Sequence, residues 1–178
     1  MTKLISLLIL LTCVISAEID FKLSANIHPS LITTSEEGLL INSSKKKYSI
    51  IDRTFQSVSL EIEDAMMSTV EVPEPGEAGG YSHEKHKQNY RDMRKAGELF
   101  VITNNEKYAK FVKEMLQAYS KLYPKLGLHP LAKHQKPGKI FHQMLNEAVW
   151  LTNVSIAYDC IYNWLDEKSR KEFEKNIF

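Results

Sequence analysis

Between Ile140 and Leu165 the chain is apolar on nearly every side of a helix, and that stretch limits the fold more than any other. Only Lys139 and Glu147 bring a full charge before Asp159. A helix over 139–165 would span roughly 40 Å at ~1.5 Å per residue. A helix apolar all round is surrounded by protein, so amphipathic partners are expected to enclose this one.

Such partners precede it. Phe55, Val58, Ile62, Met66 and Val70 recur at three- and four-residue spacing, which predicts an amphipathic helix over 52–70. Pro73 and Pro75 stop it, and Gly76, Gly79 and Gly80 form a flexible link. A second helix is predicted from Ser82, whose hydroxyl can cap the first turn, to about Phe100. After a turn at Asn104-Asn105, a third carries Tyr108, Phe111, Val112, Met115, Tyr119, Leu122 and Tyr123 on one face and ends at Pro124. Asp166 caps a last helix with Phe173 and Ile177 facing inward. Residues 18–50 are weakly patterned, an extended stretch with one short helix. No spaced repeat links 83–123 to 139–178, which argues against a tetratricopeptide array. The expected fold is all-α, with antiparallel helix pairs over 51–178 forming part of an incomplete (α/α) toroid.

The first 17 residues set the compartment. Lys3, the apolar run Leu4 to Leu11 and the small-residue exit Ser16-Ala17 make a secretory signal, too short to span a bilayer. A periplasmic or secreted protein is expected, with no membrane association after cleavage. Lipidation at Cys13 is the alternative, although Leu11 and Thr12 fit that pattern poorly. The net charge of +1 gives no field to draw in nucleic acid. Once the signal is removed only Cys160 is left, a small core residue.

Three polar features stand out. Gln143 and Asn146 lie three apart, on one face of the expected enclosed helix. A buried amide costs a few kcal/mol unless it is hydrogen-bonded. Either each bonds a neighbouring carbonyl, or both line a polar cleft, joined by His142; Asn153 and Ser155 lie deeper and read as structural. The second feature is Gly79-Gly80-Tyr81-Ser82-His83-Glu84-Lys85-His86. His83 and His86 lack a third ligand at sensible spacing, so no metal site is read there. A hydrogen bond from either one to the 129–138 loop fits better, with Tyr81 reaching over a cleft. The third is the cationic loop His129 to Lys139, which ends where a helix begins and is either a carboxylate site or a solvated connection. No nucleophile elbow, phosphate loop or zinc motif is present, so no catalytic residue and no cofactor are assigned to this segment.

From Gly79 onward the sequence resembles the N-terminal region of oligoalginate lyases in the heparinase II/III-like superfamily. The matching blocks are Gly79 to Lys87, Glu106 to Ala109, Tyr123 to Pro130, Pro137 to Gln143, Leu145 to Leu151 and Ala157 to Tyr162. His28 to Ile32 and the helix over 52–70 fit more loosely. The resemblance implies an N-terminal (α/α) toroid followed by β-sheet domains, acting on alginate or a related acidic oligosaccharide. Cleavage is by β-elimination: a Tyr or His removes the C5 proton and a Tyr protonates the leaving oxygen, once the neighbouring carboxylate is neutralised. It also implies that Gln143 and Asn146 sit in the substrate cleft, and it places Tyr81, His83 and His86 in a family motif. The family's Asn-His pair, its later tyrosines and its β-domain zinc site fall beyond the point matching Phe178. The chain is therefore expected to be a truncated fragment that binds sugar weakly, does not turn over, and exposes apolar flanks where further toroid helices and the β-domains would pack. The rival readings are a non-catalytic carbohydrate-binding module and a helical-repeat interaction module.

Overall fold

The computed structural model describes residues 27–132 and 136–178. The signal segment, Cys13, and Lys133, His134 and Gln135 of the cationic loop lie outside the described residues. Within them the protein is all-helical, with no strand. Six α-helices follow one another: α1 (Ser35–Ser44), α2 (Ser49–Met66), α3 (Tyr81–Thr103), α4 (Glu106–Leu122), α5 (Met144–Ile161) and α6 (Glu167–Asn176). A 3-10 turn, Tyr123–Lys125, extends α4.

Local chemistry sets several of the ends. Thr34 and Glu37 form a reciprocal capping box that starts α1. Between α3 and α4, Asn104 takes the left-handed conformation (φ 54°), and Asn105 caps α4 by accepting from the Lys107 amide. Asp166 caps α6 by accepting from the Ser169 amide. At α3 the cap is Gly80 rather than Ser82. The Ser82 hydroxyl is buried and has no hydrogen-bond partner among the described residues, and the Ser82 amide is held by Glu77.

Helix α3 is the hub, packing on α1, α2, α4 and α5. Small residues let α3 and α5 approach closely. A Cβ added at Gly97 would lie 3.0 Å from the Cys160 Cβ and 3.3 Å from the Ala157 backbone. The core runs through Met93, Ala96 and Leu99 of α3, Val112, Leu116 and Tyr119 of α4, Trp150, Val154 and Ile161 of α5, and Phe173 of α6. The stripe on α2 is anchored by Ile62, fully buried. Cys160 is a buried free thiol, pushed up to about 12 mainly by desolvation.

The apolar stretch departs from expectation twice. Its helix begins at Met144, not Lys139, because residues 139–143 form an irregular strap. It is also not enclosed along its whole length. Trp150 and Val154 are fully buried, yet Met144 and Leu145 are 62% and 71% exposed, and Val149 and Leu151 are exposed too. The first half of α5 has one bare side, whereas from Asn153 to Ile161 every residue is buried or half-buried, so the expected enclosure holds for the second half alone.

Candidate functional site

The N-terminal end of α5 gathers most of the residues singled out in the sequence. Gln143 is the N-cap residue and lies exposed; Asn146, one turn on, is half-buried. The Asn146 amide donates to Gln143 Oε1 at 3.4 Å, and neither side chain bonds a backbone carbonyl among the described residues. These are not amides forced into a core, because the helix end that carries them faces solvent. The desolvation argument for a cleft beside them therefore falls away. Hollows of about 310, 250, 440, 200 and 380 Å³ are lined by other residues. What remains is an open helix N-terminus, with its unpaired N–H groups and positive dipole end, flanked by two amides.

Behind this surface the strap Ile140 to Gln143 is pinned from several sides. Ile140 and Phe141 are 2% and 1% exposed. Their amides donate to Glu147 Oε2 at 3.1 and 2.9 Å, and the Tyr123 hydroxyl donates to Glu147 Oε1. The Glu147 amide in turn donates to the Gln143 carbonyl at 3.2 Å. Desolvation, followed by the Glu147 carboxylate, pushes the Tyr123 phenol well above its usual range.

Phe141 joins the strap to the Gly79–His86 block. His83 and His86 both meet its ring edge-on, with centroids at 5.1 and 5.8 Å. His86 is 1% exposed, and its Nδ1 lies 2.9 Å from the Tyr119 hydroxyl. Asn89 donates to that same oxygen at 3.2 Å, which leaves the phenolic proton free to go to His86, whose neutral imidazole can accept it at Nδ1. Desolvation depresses His86 to about 4, against the opposing pull of the Pro73 carbonyl and with a small push from His83. His86 is thus a neutral core residue that no sugar can reach. His83 keeps an edge toward solvent, its side chain 14% exposed.

Tyr81 sits elsewhere. It is 64% exposed, but its hydroxyl donates to Glu71 Oε2 at 2.7 Å instead of joining the two amides. His142 is half-buried beside His129, ring centroids 5.7 Å apart, and its Nδ1 has no partner among the described residues. Burial, then His142 and His83, lowers His129. His129 and Lys139 share a hollow of about 200 Å³ with Lys125 and Glu74, so an acid from the link before α3 shares the hollow with the cationic loop. Asn153 accepts from Arg94 at 3.2 Å and donates to the Val149 carbonyl, which suits its structural reading. Among the described residues no group of three or more His, Cys, Asp or Glu could hold a metal ion.

Sequence reasoning passed over Glu147 and Asp159, although their signal was plain: they are the carboxylates standing within an apolar run. Asp159 is buried and does for the N-terminal segment what Glu147 does for the strap. Its Oδ1 lies 2.5 Å from His28 Nδ1, and its Oδ2 accepts from the Ser30 and Leu31 amides at 2.8 Å each.

Comparison with known proteins bears on what this surface meets. No family model matches the chain. Over 171 residues, 96% of the chain, it is 39% identical to an exo-oligoalginate lyase of Saccharophagus degradans. Over 155 residues, 86% of the chain, it is 33% identical to an alginate lyase of Stenotrophomonas maltophilia. The chain is similar to a segment of alginate lyases. It spans 23% and 21% of the length of these two relatives. The blocks at Gly79–Lys87 and Pro137–Leu151, which carried the resemblance, lie against each other through Phe141, His83 and His86.

Proposed function

We propose that the chain is the toroid-forming segment of an exported oligoalginate lyase of the heparinase II/III-like type, and that the N-terminal end of α5 faces the sugar. The observation that carries this reading is 39% identity to an exo-oligoalginate lyase across 96% of the chain. The geometry suits a uronate. An exposed helix N-terminus favours a carboxylate, and Gln143 and Asn146 supply amide donors and acceptors for hydroxyls beside it. His83, at the start of α3 and edge-on to Phe141 of the strap, is the next contact outward.

The bare side of α5 supports the same reading. Met144, Leu145, Val149 and Leu151 are more apolar surface than a lone helix in water favours. More than three-quarters of the length of the first relative lies outside the matched stretch, enough to supply the helices that cover that side. In this proposal the proton-abstracting and proton-donating groups of the β-elimination belong to that remainder. Lys3, Leu4 to Leu11 and Ser16-Ala17 support export.

Calorimetric titration of the chain with an alginate trisaccharide tests this. Weak binding is expected, reduced by Gln143→Ala and by Asn146→Ala, with no rise in the ultraviolet absorbance of unsaturated uronate. Binding that both substitutions leave unchanged, or no binding at all, contradicts the proposal.

A further inference from the structure

We infer that Glu147 is a positioning residue for the sugar-facing end of α5, holding Gln143 and Asn146 in place through the strap; this rests on the reading that those amides meet the sugar. The strap Ile140 to Gln143 has no helical ladder of its own, so something else must satisfy its buried backbone donors. Glu147 does so twice, accepting from the Ile140 and Phe141 amides on one carboxylate oxygen. Its own amide closes on the Gln143 carbonyl, so Gln143 is bracketed between the side chain and the main chain of the same residue. The other carboxylate oxygen takes the Tyr123 hydroxyl, which ties the arrangement to the turn at the end of α4. Tyr123 is itself stacked on the fully buried Trp150, centroids 5.1 Å apart. One carboxylate thus links the rigid α4–α5 core to the loop leading into the site. Asn146, its neighbour in sequence, moves with it.

A carboxylate is not strictly needed for this geometry. In Glu147→Gln the side-chain carbonyl can accept from both strap amides while its NH₂ donates to the Tyr123 oxygen. Glu147→Ala leaves two buried N–H groups without partners.

The experiment follows amide exchange at Ile140 and Phe141, thermal melting, and affinity for an alginate trisaccharide in each variant of the chain. Glu147→Ala should speed exchange at those two amides by about tenfold or more, the equivalent of ~1.4 kcal/mol at the low end of the cost of an unpaired buried donor. It should weaken sugar binding about tenfold through the cost of re-ordering two side chains. Glu147→Gln should restore both. A purely structural role would instead lower melting and raise exchange throughout the helices, with no selective effect on these amides. Unchanged exchange in Glu147→Ala, or no restoration by Glu147→Gln, overturns the inference. Should Glu147→Ala not fold, Glu147→Asp draws the carboxylate one methylene back from the strap and must show the same selective exchange and weaker binding. The double variant Gln143→Ala/Asn146→Ala tests the sugar reading separately: if affinity does not fall there, that reading fails, whatever the exchange rates show.

Discussion

Acidification should destabilise this protein through His86, well above the pH at which its carboxylates protonate. The folded core depresses His86 from 6.5 to about 4, chiefly by desolvation. Above pH 6.5 the imidazole is neutral in both states and costs nothing. As pH falls below that value the unfolded chain takes up a proton that the folded chain refuses, so stability drops until about pH 4 and then levels. At ~1.4 kcal/mol per pKa unit the full loss is about 3 kcal/mol, of which about 2 kcal/mol is already gone near pH 5. His129, also lowered, adds in the same direction. Asp92, raised by burial, acts oppositely, and does so equally in wild type and variant. Urea unfolding at about pH 7 and pH 5, followed by the fluorescence of buried Trp150, measures the difference. His86→Gln, which keeps a partner for Tyr119 but does not titrate, should lose most of the pH 5–7 dependence whatever its absolute stability. If wild type and His86→Gln lose the same stability over that window, the assignment of His86 as a buried neutral acceptor is wrong.

Three other substitutions probe the packing. Asp159→Ala removes three acceptor contacts and should cost about 2–4 kcal/mol, with faster amide exchange at Ser30 and Leu31. Trp150→Ala empties a fully buried site and should cost about 3–5 kcal/mol by urea unfolding. Leu145→Asp, on the bare side of α5, should change stability by no more than about 0.5 kcal/mol while reducing self-association in analytical ultracentrifugation.

Periodicity revealed the elements that have one wet face. The stripe from Phe55 to Val70 marks α2, although the helix ends at Met66, the set from Tyr108 to Tyr123 marks α4, and Asp166 fixes the start of α6. The one short helix expected within 18–50 is Ser35–Ser44, but its capping box of Thr34 and Glu37 was not read from the weak pattern there. The α5 region misled for a physical reason. Periodicity reports which residues avoid water and not where a helix starts, so Ile140 and Phe141 looked helical while being buried by long-range partners. Those partners, Glu147, His83 and His86, are set by tertiary packing that no local pattern encodes. The same limit applied to Gln143 and Asn146. Their spacing correctly put them one turn apart, but their exposure depends on which side of α5 is covered. The two carboxylates in the apolar run were visible, but their backbone donors emerge only from the folded chain.

The account stands on the N-terminal end of α5 as the surface that meets uronate. Nitrogen-labelled NMR spectra of the chain, recorded with increasing alginate trisaccharide, map that contact residue by residue. The account predicts shifts concentrated in the side-chain amides of Gln143 and Asn146 and the backbone amides of Met144 to Asn146. Shifts confined to another surface, with these signals unmoved, would contradict it.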